Sequence, residues 1–599
     1  MILLAAVALA YLRIFSAGFV AFDDDFHVYA NPFLNPPTLQ SVGRLWEHAY
    51  KELYVPLAYT ILAVIARLAE VPAHIDNSIG HTVSLDPTWF HVVSVGLHLA
   101  SAWLCFHLVR RLTGRTRTAL LTSLVFALHP LQLESVGWIS ELRGLTSGIF
   151  VLLALNAFVL ARQAGEQGRS VKLLAAAALS LVFAMLCKPS AAALPLVALA
   201  IDRIVFGTPW RKALAANSIA AAIVLPFVLI TRATQNIPAA GQSLVWQRPF
   251  IAGDALAFYL FKTFVPINLC VDYGRTPQWV MSHAWGYLAW AVPVALLVVG
   301  FRNRERRPII WLGALMFVTF LVPTLGLVPF AYQAHSTVAD RYAYLALIGL
   351  GLIAADAVER VKAQKIAMRG AAAVLVVLTA LTFSQSSHWL SSSDFLRHTI
   401  AVNPAAGFAY NNLGDIELAN GDLAAARADY QAGVERDPTL VKAYINLAEV
   451  HTALNQPAEA QRAIAQVMKA PDKTSDDFSN LGIVLMKMNQ PALALQAFAT
   501  AAGLDPSSPT YVFNQANALS AVGQFDQAEA AFRRCIGLAP TLAGAHIGLG
   551  IVLAETGRLS DAITEFRAAV RLQPNDPAAR DNLKRAEDLV QQRAHSPGP

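Results

Sequence analysis

Apolar segments, each long enough to cross a hydrocarbon core of about 30 Å, follow one another along this chain as far as about Ser384. From Pro404 onward a period near 34 residues takes over. A chain divided in this way must fold in two solvents. In lipid every backbone polar group has to be satisfied internally, whereas in water short repeated units can bury one another's faces. Only 14% of the 599 residues are charged, against about 25% in an ordinary soluble protein, so much of the first part must face lipid. The net charge of +6 matters less than its placement in a few short loops. No Arg-rich groove motif or interleaved aromatic–basic run occurs, which argues against nucleic acid as a partner. Cys105, Cys187, Cys270 and Cys535 are widely spaced without a CxxC, so neither a disulfide framework nor a zinc site is indicated.

The segment MILLAAVALAYLRIFSAGFVAF lacks the basic start and cleavage site of a secretory signal and reads as a first membrane helix. Crossings are expected to begin near Ile2, Trp89, Ala119, Leu145, Leu173, Ala191, Ala213, Ala284, Ile309, Tyr342 and Gly370, about 11 in all. With that count five basic loops share one side: RRLTGRTR, ARQAGEQGRSVK, DRIVFGTPWRK, FRNRERRP and ERVKAQKIAMR. The positive-inside rule makes that side cytoplasmic. The opposite side receives the loop from Ala21 to Pro87, the region from Thr231 to His283, and the C-terminal repeats. Phe250 to Pro266, with Asp254 and Lys262, reads as an interfacial or re-entrant helix, and Pro56 to Glu70 as a surface helix.

Prolines 404, 438, 471, 506, 540 and 574 punctuate the repeats at spacings of 34, 33, 35, 34 and 34. The first unit carries Tyr410, Leu413, Gly414, Ala426 and Tyr430; the third carries Phe478, Leu481, Gly482, Ala494 and Phe498. This is the tetratricopeptide pattern, in which small residues let two helices approach and aromatics fill the space between units. The fold class expected is all-α: a polytopic membrane helix bundle over 1–390, a linker or partial helix over 391–406, five repeats over 407–574, and a capping helix with a disordered tail over 575–599. The concave face of such an array typically binds an extended polypeptide; self-association is the plainer alternative.

Ionisable residues in a membrane domain are expensive and therefore informative. Asp23, Asp24 and Asp25 sit together after the first helix, beside His27 and Asn31. Like charges so close repel, which suits one of them to proton acceptance; a divalent cation or a solvated loop start are the alternatives. His129, Glu134, Glu141 and Arg143 fall in a short hairpin, Lys188 at a helix end, and His335, Asp340, Arg341, Tyr342 and Tyr344 in HSTVADRYAYL. Arg143 and Lys188 taken singly read equally well as snorkelling anchors, and Asp340–Arg341 as a local pair. All four sets are expected at one leaflet, where carboxylates can activate an acceptor while cations hold an anionic lipid head group. No Walker loop, GxSxG, HExxH or strand–helix GxGxxG is present.

Over nearly its whole length the chain resembles the transmembrane and tetratricopeptide-repeat O-mannosyltransferases, GT-C glycosyltransferases, and their bacterial relatives. The matching segments are FDD at Phe22 to Asp24 with Asn31 downstream, YVPLAYTILAVIARL, FHVVSVGLHLASAWL, FALHPLQLESV, CKPSAAALPLVALAID, FVPINLCVDYG and ADRYAYLALIGLG, in family order. The resemblance implies sugar transfer from a polyprenyl-phosphate donor to a protein hydroxyl on the outer face. It puts the general base at Asp23 or Asp24, and the lipid phosphate on Arg341 with Lys188 and Arg143 in support. His129 and Tyr342 join the donor side; Asp25, His27, Glu134, His335 and Asp340 are supporting residues. Val55 stands where the family has an Arg, and the third carboxylate leaves both Asp23 and Asp24 as candidates. No cofactor is indicated, and a divalent cation stays open.

Two other classes compete. A non-enzymatic scaffold for envelope proteins would need one anchoring helix, not many. A transporter would place ionisable residues near mid-membrane. Ala-rich composition points to a bacterial inner membrane with periplasmic repeats, the eukaryotic equivalent being the endoplasmic reticulum with lumenal repeats.

Overall fold

The computed structural model describes residues 2–76, 79, 81–165, 168–235, 237, 241–471, 473–574 and 576–595. It comprises two compact units, Met1–Ala419 and Asn420–Pro599. The tail expected to be disordered lies, from 596, outside the described residues.

In the first unit helices begin and end where local chemistry directs. Pro87–Thr113 opens on proline, with the Asp86 carboxylate accepting from the Thr88 amide at 2.9 Å, and closes on Gly114 at φ 69°. Proline costs no hydrogen bond in a first turn, and glycine adopts the left-handed cap without strain. Among the described residues six helical segments are long and apolar enough to cross a membrane, or seven if the bent pair Thr116–Leu128 and Pro130–Gly137 forms one span. Helices stand at all the expected positions, yet four are short: Ile2–Ala10, Leu194–Ile204, Pro308–Leu321 and Ala346–Arg360. At 1.5 Å per residue the longest of these reaches about 22 Å. All four adjoin 3-10 turns, at Leu12–Ser16, Pro189–Ala193, Val322–Thr324 and Asp340–Ala343. A hydropathy run does not register that Pro189 or Pro323 interrupts the α-helical ladder.

The helix Trp210–Thr234 leaves Leu214, Ile219, Leu225 and Leu229 each more than half exposed, a surface that suits lipid contact and would be a liability in water. Where helices cross, small residues bring the backbones together. A Cβ added to Gly313 would lie 2.6 Å from the Gly349 carbonyl, so Pro308–Leu321 and Ala346–Arg360 pack main chain to main chain.

Leu142–Ala164 carries Glu141 at its N-terminal cap and Arg162 in its last turn, about 30 Å apart along the axis. At the Arg162 end the guanidinium grips both oxygens of the buried Asp202 at 2.7 and 2.5 Å, and Asn217 adds a third bond at 3.2 Å. Arg115 and Arg360 likewise share the buried Asp356, at 3.1 and 2.6 Å. These pairs brace together four of the five loops expected on the basic side.

The loop after the first helix contains Leu39–Glu47, Pro56–Ala69 and an antiparallel ribbon of Glu70–Asp76 with His81–Leu85, a small exception to the all-α class. Pro56–Ala69 buries Ala58, Tyr59, Leu62 and Ala66 and turns Val64 and Leu68 outward. Residues 391–406 are no loose connector. Ser392–Val402 is a helix capped by Ser391, and its Phe395 and Leu396 belong to the main core. The next helix, Gly407–Ala419, is the first half of the first repeat by sequence, but Leu413 and Ile416 also belong to that core, so the boundary between units falls at Ala419.

The second unit opens on Leu423–Arg436, the second helix of the first repeat, and continues as four helix pairs from Val441–Ala453 to Leu559–Leu572, closed by Pro577–His595. A Cβ at Gly482 would lie 2.6 Å from the Phe498 ring, and one at Gly550 2.6 Å from the Phe566 ring, which is the physical reason that a glycine and an aromatic recur together in the third and fifth periods.

Candidate active site at the acidic loop

Asp24 is fully buried and its carboxylate is saturated. One oxygen accepts from the Ser140 amide at 2.9 Å and the Ser140 hydroxyl at 2.6 Å, the other from the Val20 amide at 3.0 Å. Burial pushes its pKa up to about 7, against the pull of those hydrogen bonds. Asp23 stands differently. Its backbone is left-handed, φ 66°, a conformation that costs a non-glycine residue about 1–3 kcal/mol and marks a constrained site. Among the described residues no hydrogen bond reaches its carboxylate, which lies within electrostatic reach of Arg143, Arg341, His335 and Glu141. Burial raises its pKa and the three cationic or imidazole neighbours lower it, the net direction being upward.

Asp25 opens the single π-helical turn Asp25–Tyr29. His27 on that turn meets the Tyr59 hydroxyl at 2.8 Å, and burial holds its pKa well below the usual range, so the ring is neutral. The side-chain oxygen of Asn31 accepts from the Phe33 amide at 2.9 Å and shapes the loop.

Facing the loop is a hub of opposite charges. Glu141 is reached by Lys188 Nζ at 2.6 Å, Arg143 Nε at 3.7 Å and Arg341 Nε at 3.8 Å. Arg341 also pairs with Glu134 through its guanidinium and donates its amide to the same carboxylate at 3.2 Å. Its guanidinium lies over the rings of Tyr332, Tyr342 and Trp138 at 4.1, 4.9 and 5.2 Å. A cleft opens between Ser135, Glu141, Lys188, Ser190, Arg341 and Tyr342. The buried Ser135 hydroxyl has no hydrogen-bond partner among the described residues.

Side chains from chain positions as distant as 23, 141, 188 and 341 therefore share one locality. Two of the expected residues do not join it as anticipated. His129 caps a 3-10 turn, accepting from the Leu131 amide at 3.2 Å and meeting the Thr263 carbonyl at 3.0 Å, so it is a structural histidine. Asp340 accepts from the Tyr273 hydroxyl at 2.7 Å, so the expected local pair with Arg341 is replaced by two separate partners. His335 lies near Asp23 and packs against Phe408 at 6.1 Å. Asp254 and Lys262, which argued against a crossing, are both engaged. Arg275 forks onto Asp254 at 2.6 and 2.7 Å, and Lys262 Nζ donates to the Ile267 and Asn268 carbonyls at 2.7 and 3.1 Å.

Sequence reasoning missed Ser140, Tyr59, Tyr332 and Trp138. None carries a charge, and only their place beside Asp24, His27 and Arg341 gives them meaning. Among the described residues no three His, Cys, Asp or Glu side chains are gathered as cation ligands.

Two tetratricopeptide repeat family models match the chain, at residues 417–482 and 513–577. The chain is also similar to a Caenorhabditis elegans protein named Protein O-mannosyl-transferase F38B6.6, at 22% identity over 449 residues, covering 73% of this chain and 63% of that protein. The chain thus spans under two thirds of that relative's length. Among solved structures it is similar to YrrB, described as a TPR protein with an unusual peptide-binding site, at 24% identity over 32% of this chain and 99% of that one, with a TM-score of 0.27. It is similar also to PilW, described as a type IV pilus biogenesis factor, at 20% identity over 32% and 94%, with a TM-score of 0.27.

Proposed function

We propose that this chain is an integral-membrane glycosyltransferase that moves a sugar from a polyprenyl-phosphate donor to a Ser or Thr hydroxyl of a protein. The observation that carries this reading is the convergence of the Asp23 carboxylate, which no hydrogen bond reaches among the described residues, with Arg143, Lys188 and Arg341. Transfer at an anomeric carbon needs those two elements: a base for the incoming hydroxyl and positive charge for the departing phosphate.

In the proposed step the acceptor oxygen bonds to the anomeric carbon and gives its proton to Asp23. The bond from that carbon to the phosphate oxygen breaks, and the polyprenyl phosphate leaves with the electron pair. Arg341, its guanidinium fixed by Glu134 and by aromatic faces, meets the phosphate with Lys188 and Arg143, while Ser135 and Tyr342 line the same cleft. Asp24 is favoured as the residue that holds the loop, because its oxygens are already occupied. His27, Asp25, His335 and Asp340 shape the surroundings.

The repeats bind the acceptor polypeptide, and the site and array share the extracytoplasmic side of a bacterial inner membrane. The separation of Arg162 and its Asp202 clamp from Glu141 by about a membrane thickness supports that sidedness. The similarity to a protein named as an O-mannosyltransferase supports the reaction class.

The test is transfer of labelled sugar from polyprenyl-phosphate hexoses to candidate acceptor proteins by the purified full chain. Wild type is expected to transfer and Asp23→Asn to lose at least about 100-fold in rate. Undiminished transfer by Asp23→Asn would remove the base and with it this mechanism.

A further inference from the structure

The segment leading into Asp23 is held, almost residue by residue, by the chain that begins the repeat array. The Gly18 amide donates to the Leu390 carbonyl at 3.0 Å. The Ser392 hydroxyl accepts from the Ala21 amide at 2.8 Å and donates to the Phe19 carbonyl at 3.0 Å. Asn412 Nδ2 donates to the Ala21 carbonyl at 2.8 Å. The Phe22 ring packs against Phe408, Phe395 and Trp138 at centroid distances of 5.1, 6.0 and 5.3 Å. Asn412 and Phe408 both lie on Gly407–Ala419, the helix that by sequence opens the first repeat.

Asp23 therefore joins two clamps. Behind it Ala21 and Phe22 are fixed by the repeat helix, and ahead of it Asp24 is fixed by Ser140 and Val20. A left-handed backbone at a non-glycine residue persists only where its flanks hold it there. Release of either flank lets φ return to negative values and swings the carboxylate away from the cations.

We infer that Phe408 and Asn412 are positioning residues for Asp23, so that the first repeat helix is a working wall of the site as well as the start of the array. This rests on the transferase reading, through which Asp23 acquires a task. Asn412→Asp keeps the shape and abolishes the donor to Ala21; Phe408→Leu keeps an apolar side chain and removes the ring, and both are milder than alanine in a packed wall.

Two readouts apply to each full-length variant. The first is the split of kcat from KM: a misplaced base should lower kcat about 10–100-fold with KM for the donor within about twofold. The second does not depend on activity. Endoproteinase Asp-N, which cuts before aspartate, should cleave within Asp23 to Asp25 at least about tenfold faster in the variants than in wild type, at temperatures where all remain folded. Equal cleavage together with unchanged kcat would overturn the inference and leave the transferase reading intact. If wild type transfers no sugar, the transferase reading fails, and the cleavage rates alone then decide whether the repeat helix holds the loop.

Discussion

Lys188 Nζ sits 2.6 Å from Glu141 Oε2, and the same carboxylate also faces Arg143 and Arg341. One buried anion thus organises three cations from three separate stretches of the chain. Its charge keeps them close enough to act together on a phosphate. Without it they would repel in a medium that screens charge poorly.

Glu141→Ala is accordingly expected to cost about 3–5 kcal/mol of stability, because it strands buried positive charge. Thermal unfolding in detergent measures this. Adding Lys188→Met to Glu141→Ala should restore part of the loss, with a coupling of about 0.5–3 kcal/mol; strict additivity would show that the pair does not interact.

The adjacent carboxylates should separate by phenotype. Asp24→Asn puts an amide where the Ser140 and Val20 donors need three acceptor sites, and should cost about 1–3 kcal/mol in stability. Asp23→Asn should leave the melting temperature closer to wild type while abolishing transfer. Measuring both quantities on both variants checks the division, and a reversed order would exchange the roles.

Asp24 also carries a pH signature. Its folded pKa of about 7 exceeds that of an ordinary aspartate, so between about pH 4 and 7 the folded state binds the extra proton. Its contribution to stability is complete below about pH 4, falls as pH rises, and is gone above about pH 7. The difference in melting temperature between wild type and Asp24→Asn, which cannot titrate there, should move against wild type across that window. A flat difference would place the Asp24 pKa in its ordinary range.

Sidedness can be read with a membrane-impermeant maleimide, since all four native cysteines are buried. The side chains of Glu305 and Arg462 are 86% and 79% exposed, so a cysteine at either position should react freely where the reagent reaches it. Arg462→Cys should label in cells whose outer membrane alone is opened, and Glu305→Cys only after lysis. Labelling of both positions before lysis, or of neither, would separate the array from the proposed site; the opposite order would put site and array together in the cytoplasm.

Much of the architecture could be read along the chain because its cause is local. A proline-paced 34-residue period specifies stacked helix pairs wherever it occurs, and apolar runs punctuated by basic loops specify membrane helices. The count of crossings was less legible: Pro189 and Pro323 convert parts of apparent spans into 3-10 turns, and hydropathy does not sense backbone geometry. The small ribbon after Ala69 was equally hidden, since its strands are stabilised by pairing with each other.

Sequence alone determined that carboxylates and cations would stand at helix ends, since a charge inside hydrocarbon is costly and helix ends are where such groups tolerate burial. Tertiary structure alone decided which of them meet. Glu134 and Arg341 are 207 residues apart and paired, Asp340 beside Arg341 turns to Tyr273, and His129 is diverted to capping. It also decided that the Asp24 carboxylate accepts three hydrogen bonds while, among the described residues, none reaches the Asp23 carboxylate, and that the first repeat helix backs the acidic loop. Those outcomes depend on which helices pack side by side, a property of contacts between distant positions that no local spacing encodes.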